Sequence, residues 1–159
     1  MKKIIIVLLL LFLGITAIWV RNVPKEEYSI PINEMDIESV TIYYANENVA
    51  KNINSKTDVL VVADMLNGLS LGEAYEIDEK LHGEIEAGGL GFGLVFHLED
   101  GTEWICAYYQ TSFNGEGRFA DGEVLSKVSN LNVFELWQSL SYPENKDFPS
   151  EEFLFPPVF

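Results

Sequence analysis

The chain has 159 residues, with 25 acidic and 10 basic side chains, and a formal net charge of −15 at pH 7. Lys2 and Lys3 are the only basic residues among the first twenty, so residues 21–159 keep 8 basic and 25 acidic residues and a net charge of −17. Such a surface repels phosphate backbones, which excludes nucleic acid as an expected partner, and it attracts a basic protein. The single cysteine, Cys106, permits no internal disulfide.

The N-terminal segment is predicted to target the chain to the membrane. Lys2 and Lys3 precede an apolar run from Ile4 to Val20, which as a helix would reach roughly 25 Å, enough for a thin hydrocarbon core. A secretory signal peptide has a shorter apolar region and a small-x-small cleavage site, whereas the nearest candidate here, Ile15–Ala17, begins with a bulky residue. Residues 1–20 are therefore predicted to be a signal-anchor helix, with a cleaved signal peptide and a secreted protein as the alternative. Either way, the positive-inside rule places the rest outside the cytoplasm.

The remainder divides into three predicted parts. Residues 21–36 are predicted to be a tether, because Pro24 and Pro31 interrupt helix formation. Residues 37–142 are long enough for one extracytoplasmic domain with its own core. Residues 143–159 form a tail rich in Pro and Phe, which we expect to pack back over the sheet, since exposed aromatic side chains promote aggregation. The alternative is an extended tail that serves as a linear docking peptide.

The first half of the domain predicts two strands and a helix. Glu38–Ala45 is rich in β-branched and aromatic residues, and Val49–Ile53 can return as a partner strand. Ser55 stands at a helix N-cap position, and Gly68 is placed to end the helix. Between them, one apolar stripe has the spacing of a helix face and consists of Val59, Val62, Ala63 and Leu66.

The clearest hairpin lies in the second half. Leu90–Leu98 and Glu103–Thr111 flank Asp100-Gly101, a strong signal for a two-residue turn. That turn would pair Phe96 with Ile105 and leave an apolar face for the helix to cover. The opposite face would then carry three side chains as candidates for binding a ligand or partner, namely His97, Trp104 and Tyr108.

The other segments complete an α+β domain. Residues 69–89 are acidic and predict a solvated loop with a short strand or helical turn, and Arg118–Ala120 predicts a further strand. A second helix is expected to begin after Asn132, with Glu135 at a capping-box position, and to run through Leu140. The predicted fold is therefore a small antiparallel sheet with two helices packed on one face, preceded by an N-terminal transmembrane helix.

This layout resembles small extracytoplasmic domains of Gram-positive bacteria, either membrane-anchored or secreted. The matching features are the strand Glu38–Ala45, the capped helix Ser55–Gly68 and the Asp100-Gly101 hairpin, all after an apolar N-terminal segment. The resemblance implies this order of elements and no activity.

Catalytic and metal chemistry find little support in the sequence. His97 and Cys106 could pair as a base and a thiol nucleophile, but a reactive cysteine needs a cationic setting, and this one lies in an apolar strand of an acidic domain. Zinc needs three or four converging ligands, and no calcium-loop motif is present. We therefore predict no catalytic residues, no metal and no cofactor.

The expected function is a non-catalytic binding or accessory module at the cell envelope, in a single-pass membrane protein. A second hypothesis is an acidic, immunity-type protein that neutralises a basic toxin or enzyme through its negative surface. A third, an enzyme that uses His97 and Cys106, would lose activity when Cys106 is replaced by alanine.

Overall fold

The computed structural model describes residues 27–72, 74–76, 89–111, 116–122 and 124–146. These residues form ten strands, two α-helices and one 3-10 turn at Glu34–Asp36. In chain order the strands and helices are β1 (Glu27–Tyr28), β2 (Ile37–Tyr44), β3 (Val49–Ile53), α1 (Lys56–Leu66), β4 (Leu69–Ser70), β5 (Ala74–Glu76), β6 (Leu90–Leu98), β7 (Glu103–Gln110), β8 (Gly117–Asp121), β9 (Val124–Val128), α2 (Val133–Ser139) and β10 (Glu144–Asn145).

Eight of these strands form one antiparallel sheet, in the order β10-β3-β2-β6-β7-β8-β9-β5, while β1 and β4 form a separate pair. Both helices pack on the same face of the large sheet, which we call the inner face. Their buried side chains share one core cluster with strand residues that alternate along this face, including Ile42, Leu94 and Cys106. The predicted α+β class, with an antiparallel sheet and two helices, is confirmed.

Helix α1 follows the sequence prediction closely. The four residues of its stripe, Val59, Val62, Ala63 and Leu66, are completely buried. Burying one such aliphatic side chain stabilises the fold by about 1.5–3 kcal/mol, so the stripe fixes the helix against the sheet. Gly68 ends the helix with a φ of +74°, a conformation that costs glycine little.

Helix α2 is capped by a pair of side chains. The Asn132 side chain accepts a hydrogen bond from the Glu135 backbone N–H at 3.1 Å and donates its amide to the Glu135 carboxylate at 3.3 Å. The predicted start after Asn132 is confirmed, and Leu140 is the C-cap rather than the last helical residue.

The C-terminal end of α2 is capped by a buried cation. The Lys51 ammonium donates to the backbone oxygens of Trp137 and Leu140, at 2.8 and 2.9 Å, and lies 4.5 Å from the Trp137 ring centroid. The last carbonyls of a helix have no partner within the helix, so these bonds satisfy groups that would otherwise be buried unpaired. Lys51 is therefore a buried residue that stabilises the end of α2 and is not part of the charged surface.

The domain extends beyond both predicted boundaries. β1 pairs with β4, and Ile30 lies in the core with 6% of its surface exposed, so residues 27–36 of the predicted tether belong to the fold. At the other end, β10 pairs with β3 beyond Pro143, so the first residues of the predicted tail extend the sheet.

The register predicted for the β6–β7 hairpin is wrong by one residue. The turn holds three residues, 99–101, between the paired Leu98 and Thr102, because the Leu98 N–H donates to the Thr102 carbonyl and the Gly101 N–H donates to the Leu98 carbonyl. Phe96 consequently pairs with Trp104 instead of Ile105. Side chains alternate between faces along a strand, so a shift of one residue on one strand moves all its side chains to the other face.

In the part of the chain that the structure describes, neither helix has the length and hydropathy needed to cross a membrane. The predicted anchor, residues 1–20, lies outside the described residues, as does the tail from residue 147 onward.

Candidate functional site

The three predicted binding residues do not share a face. Trp104 and Tyr108 lie on the inner face with the helices, while His97 lies on the opposite face, which we call the outer face. Tyr108 is fully buried, its hydroxyl donates to the Leu131 carbonyl, and burial raises the pKa of its phenol. The predicted surface of His97, Trp104 and Tyr108 is therefore wrong as a geometric arrangement, because it depended on a two-residue turn, and the three-residue turn changes the register.

Trp104 is half-buried at the margin of the core. Its ring packs at 5.0 Å between centroids against Phe96, and its indole N–H donates to the Asp121 carboxylate at 3.2 Å. The ring and the indole N–H of Trp104 are therefore both engaged within the chain, in contacts of the kind that buried tryptophans make.

Cys106 and His97 also lie on opposite faces. Cys106 pairs with Leu94 in the core and has 2% of its surface exposed. Burial, with a smaller contribution from Asp121, raises the pKa of the thiol well above its ordinary value. The sheet separates this neutral thiol from the imidazole, so the base–nucleophile pair considered above is not formed.

His97 instead belongs to a chain of three hydrogen-bonding side chains on the outer face. Its Nε2 lies 2.9 Å from the Thr41 hydroxyl oxygen, and its Nδ1 lies 2.9 Å from a Glu103 carboxylate oxygen. The order hydroxyl–imidazole–carboxylate is that of a catalytic relay, but Thr41 is buried, with 4% exposed, so its hydroxyl is closed to a substrate. These two hydrogen bonds orient the His97 imidazole and the Glu103 carboxylate.

An open cleft of about 340 Å³ lies beside this chain. It is lined by residues of β2, β3 and the hairpin, namely Glu38, Ser39, Asn52, His97, Leu98, Gly101, Thr102 and Glu103. The lining offers two carboxylates together with hydroxyl, amide and imidazole groups. All of these groups can accept hydrogen bonds from a cationic side chain.

The cleft lies at one end of the sheet, which we call the acidic end because several carboxylates are exposed there. Its five exposed acids are Asp36, Glu38, Glu99, Asp100 and Glu103. The Glu99 N–H donates to the Asp36 carbonyl at 2.9 Å and so joins the hairpin turn to the 3-10 turn. Hydrogen bonds from the Thr102 side chain and backbone hold the pKa of Asp100 below its ordinary value, so this carboxylate stays ionised.

Lys51 and Lys56 form no salt bridge with these five acids. Lys56 donates to the Met35 and Ile37 carbonyls, at 2.8 and 3.1 Å, and Lys51 is buried under α2. Among the residues that the structure describes, the one contact of ion-pair geometry is the 2.9 Å approach of the His97 Nδ1 to Glu103, which is an ion pair only when the imidazole is protonated. Five exposed carboxylates beside the single Lys56 ammonium leave the acidic end with a net negative charge.

Among the described residues, no group of three or more His, Cys, Asp or Glu side chains is arranged so that it could hold a metal ion.

No protein-family model matches the chain, and no match was found among curated proteins or among solved structures. The fold and site together define an antiparallel α+β domain with one acidic end, and its function has to be inferred from its own residues.

Proposed function

We propose that this chain is a membrane-anchored extracytoplasmic domain that acts as a non-catalytic binding or accessory module for a positively charged protein at the cell envelope. The observation that carries the proposal is the acidic end, where five carboxylates are exposed and two of them, Glu38 and Glu103, line a polar cleft. Lys51 and Lys56 bond to backbone carbonyls instead of to these acids. The anchor is the apolar run of residues 4–20, and its test is given in the Discussion.

The geometry favours charge over aromatic contact as the basis of recognition. Trp104 and Tyr108, which an aromatic binding surface would need, face the core. Clustered charges of one sign steer an oppositely charged partner and raise the association rate, and this effect weakens as salt shortens the Debye length from about 10 Å at ~0.1 M to about 3 Å at ~1 M.

The cleft supplies the specific part of the proposed contact. Glu38 and Glu103 line it together, and His97 fixes the Glu103 carboxylate at 2.9 Å. A Lys or Arg side chain of the partner would enter here and form charge-assisted hydrogen bonds, which are stronger than neutral ones. An immunity-type protein that neutralises a basic toxin or enzyme would use the same surface.

The test compares two matched pairs of charge-neutralising substitutions. Glu38→Gln with Glu99→Gln removes two charges from the acidic end, and Glu47→Gln with Glu116→Gln removes two equally exposed charges from the opposite end of the sheet. Full-length protein in detergent is used to capture proteins from an envelope extract, and association with the captured partner is then measured across a salt series.

We expect a basic partner whose association slows steeply with salt. It should be about tenfold slower for the Glu38/Glu99 variant and nearly unchanged for the Glu47/Glu116 control, since charges near an interface act mainly on the association rate. A captured partner whose binding ignores salt, or that responds equally to both variants, would contradict the proposal.

A further inference from the structure

The imidazole of His97 joins a buried hydroxyl group to a carboxylate of the acidic cleft. Its Nε2 lies 2.9 Å from the Thr41 hydroxyl oxygen, and its Nδ1 lies 2.9 Å from a Glu103 carboxylate oxygen. Thr41 has 4% of its surface exposed, whereas the side chains of His97 and Glu103 have 31% and 51% exposed. The imidazole is therefore held by a buried partner on one side and is open to water from the cleft.

The two partners determine which nitrogen of the neutral imidazole carries the hydrogen. An ionised carboxylate can only accept a hydrogen bond, so the His97 Nδ1 is the donor to Glu103. A neutral imidazole has one N–H, so its Nε2 accepts, and the Thr41 hydroxyl donates to it. A protonated imidazole donates from both nitrogens, and the Thr41 oxygen can then accept, since a hydroxyl is both donor and acceptor. The network therefore accommodates both charge states of His97 with its heavy atoms in place.

The charged groups that line the cleft with His97 are both carboxylates. Glu103 comes from β7 and Glu38 from β2, whereas β3 contributes the neutral Asn52. The other lining residues are also uncharged, namely Ser39, Leu98, Gly101 and Thr102. The lining therefore carries two negative charges beside a neutral imidazole, and protonation of the imidazole lowers its net charge to one negative unit.

We infer that His97 is a positioning residue of the cleft, acting through Glu103, and that its protonation weakens the binding of a cationic side chain there. This role rests on the proposed function, since it concerns the same cleft and the same charge on the ligand. Histidine is the side chain that ordinarily changes charge between about pH 5 and pH 8, whereas carboxylates ordinarily take up protons at lower pH. Acidification through this range therefore adds a positive charge at the point where the cation of the partner binds.

Binding of a hexa-arginine peptide to the full-length chain in a non-ionic detergent tests this role. The peptide is acetylated and amidated at its ends, so that it carries no group that titrates between about pH 5.5 and pH 8, and the protein is prepared without a histidine tag. At constant ionic strength we expect binding to be about fivefold weaker at about pH 5.5 than at about pH 8, since one unit charge is added within a few ångströms of the bound cation.

Three variants separate His97 from the rest of the chain. His97→Gln keeps a neutral donor and acceptor, so its binding should match that of the parent protein at about pH 8 and should not change with pH. His97→Lys carries a fixed charge and should bind weakly throughout the range. His82→Gln removes the other histidine of the chain, which lies outside the described residues, and should keep the full pH dependence. A pH dependence that survives His97→Gln, or that is lost in His82→Gln, would overturn the role of His97.

The ring-nitrogen chemical shifts of His97, measured by NMR on the parent protein, test the network without a ligand or a substitution. They should show a hydrogen on Nδ1 alone at about pH 8 and on both nitrogens at about pH 5.5. A neutral imidazole with its hydrogen on Nε2 would contradict the inferred network. Peptide binding of equal strength at both pH values would remove the role of His97 and leave the proposed function standing, whereas no binding at either pH would overturn both.

Discussion

Replacing Gly117 with alanine is expected to lower the free energy of unfolding by about 3 kcal/mol, because the added methyl group has no room. An alanine Cβ at this position would lie 2.6 Å from the Tyr108 hydroxyl oxygen and 2.7 Å from a carbon of the same ring, and closer still to the Tyr109 backbone oxygen. The ring is locked in the core and the carbonyl belongs to a central strand, so neither can move cheaply. Urea denaturation of the two proteins measures the difference.

Gly101→Ala is the matched control for this prediction. Gly101 has a φ of +81° and nothing within 4 Å of the added Cβ, so alanine there pays only for backbone strain, about 1 kcal/mol. We expect the Gly117 variant to be clearly the less stable of the two. Equal losses would show that β8 does not approach β7 as closely as described.

Deleting residues 4–20 is expected to change the location of the chain completely. The intact protein should remain in the membrane pellet after an alkaline wash, with its N-terminus uncleaved, because the apolar run is long enough to span a thin bilayer. The deleted form should not be exported, since the same run is the proposed export signal.

A reporter fused after Phe159 measures orientation. It should be active only outside the cytoplasm, because Lys2 and Lys3 hold the N-terminus inside. Full-length protein in the soluble fraction with a processed N-terminus near Ile18 would favour the secreted alternative. A reporter active in the cytoplasm would contradict both forms of the proposal.

Local signals predicted the helices well. The stripe of α1 depends only on spacing within one helix, and all four of its residues are buried as the spacing requires. The start of α2 depends on the side chain of Asn132 reaching a backbone N–H three residues on. Both are interactions between residues close in sequence, which is why one sequence is sufficient to find them.

The hairpin shows where such local signals are not sufficient. Asp100-Gly101 fits a two-residue turn, but the Asp100 carboxylate binds both the backbone N–H and the hydroxyl of Thr102, at 2.9 and 2.6 Å. These bonds stabilise the longer turn. The two turns differ by only one residue in length, yet the length of the turn decides which face of the sheet every side chain on β7 occupies.

The edge strands could not be placed from the sequence because they are short and pair with distant segments. β5 spans Ala74–Glu76 within a stretch that predicted a solvated loop with a short strand or helical turn, and among the described strands its partner is β9. β9 itself was not predicted. Its pattern is interrupted by Ser126, which is buried despite its hydroxyl, and by the exposed Lys127. Neither segment carries the alternation that identifies a strand by itself.

The candidate site depends on the same long-range pairing. Net charge predicted a negative surface, but the position of the acidic end follows from the contact between Glu99 and Asp36. Thr41 and His97 meet from strands that are 56 residues apart in sequence. His97 and Glu103 face each other only with the three-residue turn, so the sequence could have suggested this pair had that turn been chosen.

The register of the β6–β7 hairpin underlies both the placement of Trp104 and Tyr108 in the core and the position of the cleft. Nuclear Overhauser contacts between α-protons measure it directly, because residues in a non-hydrogen-bonded antiparallel pair have Cα atoms about 4.5 Å apart. Leu98 and Thr102 are hydrogen-bonded, so Val95 and Ile105 form a non-hydrogen-bonded pair. We predict a strong contact between the α-protons of Val95 and Ile105, whereas pairing of Ile105 with Phe96 would contradict this structure and return the two aromatic side chains to the outer face.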